Sequence, residues 1–190
     1  MHKTQTRAFI VLALSLLALS GCAGQQTVSP YRAVNQPFGL ERLSNAAAPY
    51  GLQLWSANDP LLIGQELQLY LRPMAESYLS LYSISSSEKV YSLLENQPAR
   101  SGQTLQFPGE QSPVGFRLSP PKGVETYILI STLEPLAGPQ PAPGTADSPL
   151  TVLPHTPEQL ISALAGALLE RNQHEWNSAI ITLPLYESKN

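Results

Sequence analysis

The chain has 190 residues, a formal net charge of -3 and a pI near 5.6, and only 13% of its residues are charged, about half the usual share. The acidic balance argues against a nucleic-acid partner, which calls for a basic patch, and one cysteine cannot build a disulfide framework or a thiolate metal cage. A hydrophobic share of 43%, even beside 18 prolines, argues against wholesale disorder.

The N-terminus carries the clearest signal. His2, Lys3 and Arg7 form a basic region with no acid beside them, and Ala8 to Ser20 is an uninterrupted stretch of 13 mostly apolar residues. That is shorter than the roughly 20 residues a membrane-spanning helix needs, and it ends in small residues, the layout of a secretory leader. The stretch closes with Leu19-Ser20-Gly21-Cys22, which resembles the bacterial lipobox. The resemblance implies cleavage between Gly21 and Cys22, lipidation of the Cys22 thiol and acylation of the new amino group. The alternatives are an ordinary signal peptide followed by a chance cysteine, or a short buried helix. By the same resemblance, Ala23 stands where an Asp would mark inner-membrane retention in enteric bacteria, so the anchor is expected in the outer membrane with the domain facing the periplasm. Loss of the first 21 residues would leave 169, with nine basic against fourteen acidic groups and a net charge of -5. Two or more acyl chains suffice for stable anchoring.

Residues 22–50 read as the lipidated cysteine and a polar tether without apolar periodicity. The alternative is that Phe38, Leu40 and Leu43 dock on the domain as an irregular arm. From Leu52 the pattern changes to period two, the mark of half-buried strands. Leu52 to Ser56 alternates, and Gln65 to Arg72 places Leu67, Leu69 and Leu71 on one face, with Pro73 ending the run. Tyr78 to Ile84 puts Leu79 and Leu81 opposite Tyr78, Tyr82 and Ile84. The polar turn Ser85-Ser86-Ser87-Glu88 then leads to Lys89–Leu94, so the two runs predict a hairpin. Shorter strands are expected at Thr104–Phe107 and Val114–Leu118. Tyr127-Ile128-Leu129-Ile130 is apolar on both faces, as suits a central strand covered on both sides.

Residues 135–154 carry six prolines and two glycines and predict a loop without a regular element. Next, Thr156-Pro157-Glu158-Gln159 offers an N-cap, a proline at the first helical position and a capping box. The helix should run to about Glu170 and pack through Leu160, Ile161, Leu164 and Leu168. Trp176 to Tyr186 reads as a last strand, with Pro184 placing it at an edge or ending its ladder early. The expected organisation is a leader at 1–21, a tether at 22–50, a β-domain at 51–134, a Pro-rich loop at 135–154, and a helix and strand at 155–190 that complete the domain. The fold class is mainly β: an antiparallel immunoglobulin-like sandwich with one C-terminal helix packed on it.

Residues from about 52 to 133 resemble the bacterial domain-of-unknown-function family 4384. The likeness rests on Ile63-Gly64-Gln65-Glu66-Leu67-Gln68-Leu69, Ser77-Tyr78-Leu79-Ser80-Leu81-Tyr82, Val90-Tyr91-Ser92-Leu93-Leu94-Glu95-Asn96, Phe116-Arg117-Leu118 and Gly123-Val124-Glu125-Thr126-Tyr127-Ile128. The resemblance implies a compact envelope-associated β-domain and no established activity. Two turn positions depart from the family's pattern: a glycine is missing from Ser85–Glu88, and Glu95 replaces the usual proline before Asn96.

No activated nucleophile with a base and an orienting acid is apparent, and no Gly-x-Ser-x-Gly elbow occurs. Beyond the leader the histidines are His155 and His174. His155 with Glu158 supplies two potential metal ligands where a zinc site needs at least three. The expectation is a non-enzyme with no catalytic residues, no metal and no cofactor. Its partners would be the membrane, through the lipid on Cys22, and an envelope protein, without nucleic acid. Tyr70, Tyr82 and Tyr91 form the candidate interaction surface, since tyrosine joins apolar area to a hydrogen-bonding hydroxyl. The competing account places Tyr82 and Tyr91 under the helix and leaves Tyr70 exposed. The functional expectation is an outer-membrane lipoprotein acting as an interaction or envelope-assembly module. An accessory lipoprotein of a secretion system, or a protein that binds or hydrolyses cell-wall polymer, is the alternative.

Overall fold

A computed structural model describes residues 37–110, 112, 115–139 and 151–188. The expected leader, Gly21, Cys22 and the tether up to residue 36 lie outside the described residues.

The first described element is a short 3-10 segment, Pro37–Leu43, kinked at Phe38 and Gly39, whose φ angles are 66° and 76°. It corrects the tether expectation from Pro37 onward, because Leu40 and Leu43 are fully buried and Phe38 packs beside them. Burying two leucines, each worth about 1.5–3 kcal/mol, favours docking of the segment. Ser178 Oγ donates to the Leu43 carbonyl. Asn45 Nδ2 reaches the carbonyls of Gln173 and Trp176, each at 2.7 Å.

Among the described residues nine strands and one helix follow: β1 (Leu52–Ser56), β2 (Leu61–Leu62), β3 (Leu69–Pro73), β4 (Ser77–Ile84), β5 (Val90–Ala99), β6 (Leu105–Phe107), β7 (Gly123–Thr132), β8 (Thr151–Leu153), α1 (Pro157–Leu169) and β9 (Trp176–Tyr186). They form a three-stranded sheet, β1-β3-β6, and a six-stranded sheet, β2-β9-β7-β4-β5-β8. Every pairing is antiparallel except β2 with β9. The runs that are apolar at both parities, β4 and β7, occupy the middle of the larger sheet, where both faces are covered.

Those two faces make two cores. Leu79, Leu81, Tyr127 and Leu129 pack against Leu54, Leu69, Leu71 and Phe107 of the smaller sheet. On the opposite side, Tyr82, Ile84, Ile128 and Ile130 meet Leu40, Leu43 and the α1 stripe Leu160, Ile161, Leu164 and Leu168. The architecture is therefore a mainly β sandwich of two sheets, with the C-terminal helix on the outer side of the larger one. The helix start is as the sequence predicts. Thr156 Oγ1 accepts the Gln159 N–H at 3.3 Å, and Gln159 Oε1 accepts the Thr156 N–H at 2.9 Å.

Three expectations about strands change. Of the run expected at 114–118, Val114 lies outside the described residues, and the rest forms no named strand but an isolated bridge, Arg117 to Glu66. The first half of Gln65–Arg72 pairs with that segment instead of joining β3, with Leu67 N–H to the Phe116 carbonyl at 2.7 Å and Leu118 N–H to the Gln65 carbonyl at 2.9 Å. Pro120 and Pro121 lack the donors that would extend it. Within the Pro-rich stretch, residues 151–153 form β8 on the edge beside β5, with Leu153 opposite Val90. An edge position suits a strand between Pro149 and Pro154, because one of its sides needs no ladder. Finally, β9 pairs with β7 from Trp176 to Leu185 straight through Pro184, which stands opposite Val124. On its side away from β7, β9 has a ladder partner only in the short β2, at Leu185 and Tyr186 among the described residues, so the missing N–H does not break the sheet.

Candidate functional site

The three tyrosines expected on one surface occupy three different places. Tyr82 is 1% exposed, packed in the core beneath α1, where burial holds its hydroxyl well above the ordinary tyrosine range. Tyr91 is half-buried on the other face of the same sheet and packs against the inter-sheet core. Strand parity separates them: Tyr82 stands opposite Ser92, so Tyr91, one residue earlier, points the other way. A single patch of Tyr70, Tyr82 and Tyr91 is thereby corrected, and of the competing account only Tyr82 lies under the helix.

Tyr70 is on the outer face of the smaller sheet. Its cross-strand neighbour is Trp55, the two rings stack with centroids 5.4 Å apart and planes 22° from parallel, and Trp55 remains 39% exposed. Gln53 and Arg72 form the next pair on that face, and Gln106 flanks Tyr70 on β6. Arg72 Nε donates to the Gly102 carbonyl at 3.1 Å, which holds the guanidinium stem along the sheet. The result is an aromatic pair rimmed by amides and a guanidinium, a composition common to interface hot spots. Trp55 was legible only as one position of an alternating strand, since its meeting with Tyr70 depends on long-range register.

A second exposed surface was not anticipated. Leu62, Val124 and Tyr186 are 37%, 48% and 51% exposed. Leu62 stands opposite Tyr186, and Val124 opposite Pro184. Together they form an apolar strip on the α1 side of the larger sheet.

The third feature is polar and lies between the sheets. Along β4 the inward-facing positions Leu79 and Leu81 give way to Ser83, which stands between Tyr91 on β5 and Tyr127 on β7. A serine between two tyrosines leaves space, and a cleft of about 260 Å³ opens there, between the β4–β5 turn and residues 116–120. Glu125, two residues before Tyr127 on β7, lines it and is itself 4% exposed. Its Oε1 accepts the Ser86 N–H at 2.9 Å. Burial raises the Glu125 carboxyl above the usual carboxylate range, and the Ser86 hydrogen bonding only partly offsets this. The hydroxyls of Ser83 and Tyr127 are buried without a hydrogen-bond partner among the described residues.

The histidines remain apart. His174 is exposed and His155 half-buried, and Glu158 accepts the Thr156 hydroxyl at 3.0 Å. Among the described residues no three of His, Cys, Asp and Glu come together as a metal site.

The stretch from β2 to just beyond β7 also matches known sequences. Residues 61–135 match the family model described as domain of unknown function DUF4384. The DUF4384 stretch holds Tyr70 and every residue of the Glu125 cleft, whereas Trp55, α1 and β9 lie outside it. No curated protein matches the chain.

Proposed function

We propose that this protein is an outer-membrane lipoprotein whose sandwich, held by a lipid on Cys22 and facing the periplasm, acts as a non-catalytic module that docks an envelope protein. The observation that carries the docking role is the exposed Trp55–Tyr70 stack. A large aromatic pair left half in water on an outer sheet face costs solvation that a partner would relieve, and aromatic anchors beside arginine dominate interface energetics. The anchor reading rests on Leu19-Ser20-Gly21-Cys22. Together they describe a tethered adaptor, with the leucine-rich cores supplying rigidity.

Chemical crosslinking in intact cells, with the parent chain compared to Trp55→Ala, tests the docking role. One captured envelope protein, reduced about tenfold or more in the variant, is expected, as for loss of a hot-spot aromatic. If the captured component belongs to a secretion machine, the protein is that machine's accessory lipoprotein. Capture unaffected by Trp55→Ala, or cosedimentation with purified cell-wall polymer in place of a protein partner, contradicts docking through this face.

A further inference from the structure

The cleft around Glu125 is not used by the docking face. A carboxylate buried to 4% exposure normally has a cation or several donors beside it, yet Glu125 makes no ion pair among the described residues and draws hydrogen bonds only from Ser86. Ser83 lines the same cleft, is 0% exposed, and its hydroxyl has no partner among the described residues. The floor therefore offers a carboxylate whose only donors come from Ser86, with no counter-charge among the described residues, and beside it a hydroxyl without a partner among them. Lys89 and Arg117 also line the cleft. Both are exposed residues, and the one ion pair of Arg117 among the described residues is to Glu66, at 3.7 Å between two largely exposed side chains.

We propose that this cleft binds a small zwitterion, a free amino acid or dipeptide, with its primary ammonium on Glu125 and Ser83 and its carboxylate toward Lys89 and Arg117. An ammonium carries three donors on one atom, and charge-assisted bonds to a carboxylate are the strong kind. A simple anion would meet the negative floor, and a simple cation the positive rim. A neutral polyol would leave both charges unmatched. The volume of about 260 Å³ lies just below the range of roughly 300–1,000 Å³ that drug-sized ligands fill, which favours a small guest. The site goes beyond the adaptor role and stands or falls independently of it, because none of its lining residues belongs to the Trp55–Tyr70 face.

Calorimetric titration of the full chain in detergent tests the site, with glycylglycine, N-acetylglycylglycine, glycylglycinamide and methyl glucoside as probes. Saturable binding of glycylglycine is expected, at least about tenfold weaker once its ammonium is acetylated and weaker again once its carboxylate is amidated. Glu125→Gln keeps an acceptor for the Ser86 N–H, so it should melt no lower than the parent while losing the preference for the free ammonium. Ser83→Ala should weaken glycylglycine without unfolding the chain. Absence of saturable glycylglycine binding, equal affinity for the acetylated probe, an unchanged preference in Glu125→Gln, or tighter binding of methyl glucoside overturns the proposal.

Discussion

Truncating Tyr70 and truncating Tyr82 should have very different consequences, although both are tyrosines on strands. Tyr82 is 1% exposed, with Ile84, Ile128 and α1 residues in the same core, so Tyr82→Ala leaves a cavity costing about 3–5 kcal/mol. Tyr70 is half-exposed, and its main contact is the Trp55 ring at 5.4 Å. Aromatic pairs add about 0.5–1.5 kcal/mol beyond buried area, so Tyr70→Ala should cost about 1–2 kcal/mol. For a unit spanning Asn35–Asn190, each kcal/mol moves Tm by about 2–4 °C. The expected falls are roughly 2–8 °C for Tyr70→Ala and roughly 6–20 °C for Tyr82→Ala. Tyr70→Phe should be nearly silent, because the hydroxyl reaches only Gln68 Oε1, at 3.5 Å. Thermal and urea unfolding followed by circular dichroism measure these losses, and a double-mutant cycle with Trp55→Ala isolates the stack. A Tyr70→Ala loss as large as that of Tyr82→Ala, or a coupling indistinguishable from zero, refutes the separation of an exposed pair from a buried tyrosine.

Other perturbations have equally definite outcomes. Cys22→Ser should abolish incorporation of labelled fatty acid and leave the leader uncleaved by the lipoprotein signal peptidase, and unchanged labelling would remove the anchor. Glu125 has a carboxyl raised by burial; its contribution to stability is complete below the unfolded-state value and is lost as pH rises through the folded one. Glu125→Gln should therefore flatten the decline in stability above about pH 4.5, measured by urea unfolding across pH, and an unchanged slope contradicts the assignment. Gly138→Ala would bring a Cβ to 2.5 Å from the Tyr82 hydroxyl and should cost about 1–3 kcal/mol in chemical denaturation, as overpacking does. A neutral result would show that the loop yields freely.

Much of the fold was legible because local signals agreed with the global one. Tyr127–Ile130, apolar on both faces, lies in a central strand, the expected hairpin is β4–β5, and the Thr156–Gln159 box begins the helix. What escaped depended on long-range register. The faces of Tyr82 and Tyr91 depend on the β4–β5 pairing, which carries irregularities around Leu81. The meeting of Trp55 with Tyr70 needs β1 and β3 aligned. Glu125 lay just before the apolar run that begins at Tyr127, and read singly an acid there looks like a solvated strand end. Its signal was the break in alternation, Leu79-x-Leu81-x-Ser83, which marks where the inter-sheet face turns polar. The three residues of β8 are too few to show a period between prolines, and their pairing is set by β5.

Site-specific photo-crosslinking in intact cells tests the docking face most directly. A photoreactive side chain is placed at Gln53 or Gln106, beside the aromatic stack, and in a separate chain at Ser162, on the exposed side of α1. The adaptor account predicts one discrete crosslinked envelope protein from Gln53 and Gln106, lost on Trp55→Ala, and none from Ser162. Crosslinks of equal yield from Ser162, or none from either outer-face position, would contradict it.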